Sequence, residues 1–178
     1  MSDDRVLLDE LRRLQDRNAV YDVIVAIAAG IDRYDPALLR SAIWSDADID
    51  MGGAQTITGE TFAAALKRPE TPAAGRMHII GNHRIRLSGD CAESESYVMS
   101  CQELAAGDGA ETRVRAGRYL DRFERRDGTW KLSGRLFIDE WSRLDPVVGR
   151  PALGRYAGAP APDDLAYQTL GLNTDSPA

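Results

Sequence analysis

Apolar side chains recur at helical spacing through residues 4 to 29. Leu7, Leu11, Leu14 and Asn18 stand at i, i+4, i+7 and i+11, and Tyr21, Ile24, Val25 and Ala28 carry the stripe onward, which is the period of a helix with one apolar face. Ser2 or Asp3 is placed to cap its start and Gly30 to stop it. Pro36 opens a second, short helix that runs through Ser41, Ala42, Ile43 and Trp44. Residues 45–53 alternate and end in Gly52 and Gly53, as a short strand or hairpin edge does, and residues 59–67 read as a small helix around Phe62 and Leu66. Arg68 to Gly75 is a loop rich in Pro, Ala and Thr, long enough to form a mobile rim.

From residue 78 the period changes to two. Ile79, Ile85 and Leu87 form the apolar face of a strand closed by Ser88-Gly89-Asp90. Three more strands follow over 92–104, 112–124 and 129–139, separated by the loop 105–109 and the Asp127-Gly128 turn. Such spacing predicts an antiparallel meander of long strands, and long twisted sheets curl. With the helices first and the sheet after, the fold class is α+β, the long helix lying across the concave face. From Asp145 onward, prolines at 146, 151, 160, 162 and 177 leave little regular structure, while Leu165, Tyr167, Leu170 and Leu172 are apolar enough to dock. The chain therefore divides into a domain over 1–145 and an extended arm over 146–178, packed on that domain or on a partner subunit.

Composition narrows the function. The 178 residues are 43% hydrophobic and 28% charged, with a net charge of -6. An acidic balance without a basic run argues against nucleic acid or an anionic membrane as partner. No stretch approaches the roughly 18 apolar residues of a membrane span, and Met1-Ser2-Asp3-Asp4 is unlike a signal peptide, so the expected location is the cytoplasm. Cys91 and Cys101 fall on one strand about 33 Å apart at ~3.3 Å per residue, too far to pair. Two thiols and two histidines without CxxC or HxxxH spacing predict no metal. No glycine motif for a nucleotide is present, and no cofactor is expected.

Both histidines, His78 and His83, fall on the first long strand, where acid–base chemistry is to be sought. Residues five apart on a plain strand point to opposite faces, so the two share a cavity only if Gly81 forms a bulge; otherwise one is at the surface. His78 is the inward candidate. Asp32 ends the long helix beside a very apolar face, either as an exposed turn residue or as the buried partner of a cation.

Several stretches resemble the SnoaL-like branch of the NTF2-like, cone-shaped α+β superfamily: Ile31-Asp32-Arg33-Tyr34-Asp35, Ile43-Trp44-Ser45-Asp46-Ala47, Met77-His78 with Gly81-Asn82, and Gly117-Arg118-Tyr119 running on to Asp127-Gly128-Thr129-Trp130. Within it the chain is most similar to lyases typified by hexachlorocyclohexane dehydrochlorinase and bile-acid 7α-dehydratase. The resemblance implies a cofactor-independent elimination with Asp32 and His78 as the catalytic pair, and matches Trp44 and Arg135 to substrate-binding positions. It implies a homo-oligomer, trimer or dimer. Where these lyases carry a polar Lys or Tyr that assists the leaving group, this chain has Ile27; Tyr21, Tyr34 and Tyr97 are the substitutes to consider.

In such a site Asp32 fixes the His78 tautomer and stabilises the imidazolium, while Arg135 and the Trp44 indole N–H stabilise departing charge. Met51, Phe62 and Ile24 would line an apolar interior suited to a small hydrophobic ring, an aromatic or alicyclic alcohol or halide losing water, halide or formaldehyde. The same cone also serves as a non-catalytic assembly module, as in the small subunits of ring-hydroxylating dioxygenases, and as an isomerase or epoxide hydrolase.

Overall fold

A computed structural model describes residues 2–68, 75–106, 109–148 and 157–170. The elements are α1 (Ser2–Asp32), α2 (Pro36–Ala42), β1 (Ile43–Asp50), β2 (Ile57–Thr58), α3 (Gly59–Ala65), β3 (Arg76–Ser88), β4 (Cys91–Ala106), β5 (Gly109–Arg126), β6 (Thr129–Pro146) and α4 (Leu165–Thr169). The six strands form one sheet in the order β2-β1-β6-β5-β4-β3. The β3-β4-β5-β6 part is the expected antiparallel meander, and β1 joins β6 in parallel. This is the α+β cone of the NTF2-like fold. Asp127 and Gly128 both take positive φ in the β5–β6 turn, the geometry that a two-residue Asp-Gly hairpin loop demands.

The long helix is held along its length by different forces. Val20, Ile24, Ile27 and Ile31 pack into a core with Leu39, Ile43, Ile49, Phe123 and Leu132. At mid-helix, Asp16 accepts hydrogen bonds from Trp130 Nε1 (2.9 Å) and Arg125 (2.6 Å) on the β5–β6 hairpin. Arg17 donates to the Ile85 carbonyl on β3. The expected apolar stripe thus splits: Ile24 and Ala28 of its second half are core, whereas Tyr21 and Val25 are 41% and 42% exposed, and Leu7, Leu11 and Leu14 remain 60%, 46% and 55% exposed.

Gly30 does not end this helix. It is buried inside α1, where a Cβ would come within 2.9 Å of Leu39 Cδ2, so its bareness permits the close approach of α2. Two residues later the helix closes with a Schellman turn: the Asp35 amide bonds to the Gly30 carbonyl (2.9 Å), the Tyr34 amide bonds to that of Ile31 (3.3 Å), and Tyr34 takes φ 53. Asp32 is consequently the last helical residue. Asp35 then caps α2, accepting from the amides of Ala37 and Leu38 (both 2.9 Å). α2 ends at Ala42, and Ile43 and Trp44, expected in that helix, begin β1 instead.

A second departure lies in β3. Gly81 pairs with Tyr97 but Arg84 with Glu95, so β3 carries one extra residue in a bulge at which Asn82 takes φ 43. The bulge shifts the alternation by one. His78, Ile80, His83, Ile85 and Leu87 all point toward the helix side, while Ile79, expected on that face, is 54% exposed on the other.

The described part of the arm docks by polar contacts. Tyr167 donates to Asp35 Oδ2 (2.6 Å), the Ala161 amide bonds to the Arg33 carbonyl (2.7 Å), and Arg68 pairs with Asp163 (2.6 Å). Leu165 and Leu170, expected to dock through their apolar surface, stay 39% and 51% exposed; Leu172 and the rim residues 69–74 lie outside the described residues. The arm therefore rests on the turn that follows Asp32.

Backbone packing on β5 leaves no room for a Cβ at Gly117, which would lie 2.2 Å from the Ile138 carbonyl and 2.7 Å from the Phe137 ring. Gly117→Ala should cost about 1–3 kcal/mol and lower Tm by about 2–4 °C per kcal/mol. Gly53→Ala, with nothing within 4 Å, should leave it unchanged in the same thermal melt.

Candidate active site

The Schellman turn and the start of β3 bring together two groups 46 residues apart in sequence. Asp32 Oδ1 lies 2.5 Å from His78 Nδ1, and Asp32 Oδ2 accepts the His78 backbone amide at 2.9 Å. Both carboxylate oxygens are thus engaged by one residue, which fixes the position of the ring as well as its rotation. A carboxylate can only accept, so Nδ1 carries the proton and Nε2 is the basic nitrogen. The side chains are 9% exposed for His78 and 16% for Asp32. A carboxylate at the negative end of a helix is misplaced for stability, and the two N–H donors offset that cost.

The other expected site residues divide. Arg135 points to the helix side but is fully committed: its guanidinium forms a two-point ion pair with Asp121 (2.8 and 2.7 Å), both side chains being essentially buried, and lies 3.8 Å from the Tyr119 ring centroid. Burial works against its charge, and the Asp121 carboxylate more than reverses this, so Arg135 stays a cation. Trp44 is not a free donor: its Nε1–H bonds to the Glu124 carbonyl (3.1 Å), and Arg126 and Lys131 flank the ring. Tyr97 lies on the outer face of β4, 47% exposed, because strand alternation places it opposite Val98 and Ser96. The Trp44 indole N–H is thus engaged by the backbone, and Tyr97 faces away from the dyad. Met51 is half-buried and bridges the main core and the Val98–Tyr119–Phe137 cluster. Tyr34 stacks beneath the Arg76 guanidinium at the dyad's edge. Tyr21 is 41% exposed and meets the His83 ring at 5.0 Å.

His83 follows from the bulge at Gly81, the condition under which the two histidines share a face, which turns it to the same side of the sheet as His78. Desolvation, with Arg17 nearby and only partial relief from Asp121, pushes its pKa below the usual 6.5. Register extends His83 into a polar row across the inner face: Ser96 and Ser94 on β4, Tyr119 and Asp121 opposite them on β5, then Arg135 opposite Asp121 on β6. Asp121 and the two serines were missed in the sequence. The signal was there in polar residues at alternate positions, Ser94, Ser96 and Asp121, on strands whose inward faces should be apolar.

An open groove of about 950 Å³ crosses the opposite face of the sheet, lined by the outward side chains Arg84, Arg86, Glu93, Arg122, Asp48 and Asp50 among others. Ser94, Asp121 and Arg135 also border it, but neither Asp32 nor His78 does. Among the described residues no group of three or more His, Cys, Asp or Glu is placed to hold a metal, and no helix is long and apolar enough to cross a membrane.

The sequence model of the SnoaL-like domain matches residues 12–135, from mid-α1 to Arg135. The chain belongs to this family. Across 129 residues, 71% of this chain and 82% of the other, it is 29% identical to hexachlorocyclohexane dehydrochlorinase 1 of Sphingobium indicum. The crystal structure of hexachlorocyclohexane dehydrochlorinase LinA-type3 from Novosphingobium barchaimii superposes with a TM-score of 0.67 at 26% identity, covering 82% of this chain and 99% of that one. An NTF2-like protein with a cystatin-like fold from Novosphingobium aromaticivorans aligns with a TM-score of 0.57 at 23% identity over 74% of this chain and 86% of that one. The SnoaL-like match stops short of the arm.

Two measurements probe the interior. Asp121→Ala strands the Arg135 cation and should cost about 3–5 kcal/mol in chemical denaturation, whereas the double change Asp121→Leu with Arg135→Met should recover most of that loss. Because the folded pKa of His83 is lowered from 6.5, the unfolded chain takes up the proton first, and stability should decline as pH falls below that value. His83→Gln should flatten this slope in melts recorded across the acid range.

Proposed function

We propose that this SnoaL-like chain is a cofactor-independent lyase that eliminates hydrogen halide or water from a small, hydrophobic ring substrate, His78 acting as general base with Asp32 as its partner. The observation that carries the reading is the two-point clasp of Asp32 on His78 at the end of α1. It is supported by similarity to dehydrochlorinases over most of the chain.

The chemistry follows from the tautomer. With Nδ1–H held by Asp32, the Nε2 lone pair takes a proton from the ring carbon next to the one bearing the leaving group. The C–H electron pair becomes the new C=C bond, and the leaving group departs with its own bonding pair. The imidazolium so formed is stabilised by the Asp32 carboxylate, and proton transfer to a positioned base of this kind contributes about 10²–10⁴ in rate. Ile27 is fully buried in the core and cannot protonate anything, and Arg135 is neutralised by Asp121. A site without an acid at that point favours a group that leaves as a stable anion, which ranks halide ahead of hydroxide. Small size and apolar character of the substrate accord with the apolar residues of α1 that face the sheet.

Purified protein tested against halogenated and hydroxylated alicyclic and aromatic compounds should release halide or water with formation of an alkene seen by ultraviolet absorption. His78→Ala and Asp32→Asn should each lower that rate by about 10²–10⁴ while leaving the circular dichroism spectrum unchanged. A His78→Ala protein that keeps the full rate would end the proposal.

A further inference from the structure

Four polar side-chain atoms among the described residues are buried without a hydrogen-bond partner, and three of them, His83 Nε2, Ser94 Oγ and Ser96 Oγ, share the polar row on the inner face. Ser96 is wholly buried and Ser94 is 7% exposed. A buried hydroxyl or imidazole nitrogen left unpaired is costly, and native interiors pair such atoms with protein, water or ligand. Three such atoms on neighbouring positions of adjacent strands describe a receptor, because each serine both donates and accepts.

α1 contacts β3 and β6, the flanks of the meander, more than β4 and β5, the strands between them. On β4, where inward positions favour large β-branched or aromatic residues, two successive inward positions hold serine. The row is also on the same face as the dyad. His78 pairs with Ser100, and Ser96 lies four residues along β4 from it, about 13 Å at ~3.3 Å per residue.

We propose that His83, Ser94 and Ser96 form a subsite for an uncharged oxygen substituent, hydroxyl or keto, at the end of the substrate remote from the reacting carbon. This rests on the lyase reading for which end reacts, and it narrows the substrate from any hydrophobic ring to an oxygenated one long enough to reach both sites. The subsite prefers a neutral group because the buried charges beside it, Asp121 and Arg135, satisfy each other, Arg17 reaches His83 from an exposed position where it donates to the Ile85 carbonyl, and the desolvated His83 is neutral near pH 7. A carboxylate would enter without a buried, unpaired cation to meet it.

Two probes differing by one hydroxyl test this: para-hydroxybiphenyl and biphenyl, titrated calorimetrically into the full chain. The hydroxylated compound should bind about tenfold more tightly, the effect of one buried hydrogen-bonded group. In Ser96→Ala and in His83→Phe the advantage should shrink below about twofold while the affinity for biphenyl persists. Ser96→Ala should melt no lower than the parent, since the hydroxyl it removes has no partner in the free protein. Equal affinities in the parent, no binding of either probe, or an advantage that survives both substitutions would overturn the subsite and leave water as its occupant. Repeating the titration in His78→Ala separates the two ideas: the preference should survive there even though elimination is lost. A preference that persists beside undiminished elimination in His78→Ala would sink the lyase reading alone.

Discussion

The clasp between Asp32 and His78 joins the two halves of the molecule. One carboxylate at the end of a 31-residue helix receives the ring and the backbone amide of one residue at the start of the first long strand. A hydrogen bond to a charged acceptor stabilises more than a neutral one, and burial strengthens it. Its geometry depends on the turn behind it: the left-handed Tyr34, the Asp35 cap of α2 and the docked Tyr167 hydroxyl together set where the helix stops. A left-handed conformation at a non-glycine residue costs about 1–2 kcal/mol. The hydrogen bonds of the turn and cap offset it, and the result is a carboxylate held at a fixed point rather than at a frayed helix end.

The interior is apolar on the helix side and polar on part of the sheet side. Ile24, Ile27 and Ile31 exclude water, while the Asp121–Arg135 pair brings charge into the same space without net charge. A buried ion pair is poor evidence for stability, since hydrophobic residues of similar volume often do as well. Its position in one row with His83 and two unpartnered serines makes a functional reason for that polarity more economical than a structural one. Function and the stability of the sheet interior thus compete for the same residues.

Much of the fold was legible in the sequence. The change of apolar period from 3.6 to 2 near residue 78 separated helices from sheet, and the Asp127-Gly128 turn could be read because only certain residues accept positive φ at both positions. Asp32 and His78 could be paired because family resemblance matched both; their local sequence left Asp32 as either an exposed turn residue or a buried partner. What could not be read depends on register. One inserted residue at Gly81-Asn82 decides whether Ile79 or Ile80 joins the core and whether His83 faces in or out. Arg135 read as a free cation because nothing local shows that Asp121, 14 residues earlier on the neighbouring strand, lies directly opposite. Gly30 read as a helix stop because a glycine required for close packing and one required for left-handed backbone look alike in sequence.

The central claim is a statement about one proton: on Nδ1 of His78, facing Asp32, with Nε2 bare and basic. Nitrogen-15 chemical shifts of the histidine side chains report the tautomer directly. The account predicts that in the neutral imidazole the His78 Nδ1 resonates as a protonated, pyrrole-type nitrogen and Nε2 as an unprotonated, pyridine-type one, and that Asp32→Ala erases this bias. An Nε2-protonated ring in the unmodified protein, or a tautomer indifferent to the loss of Asp32, would contradict it.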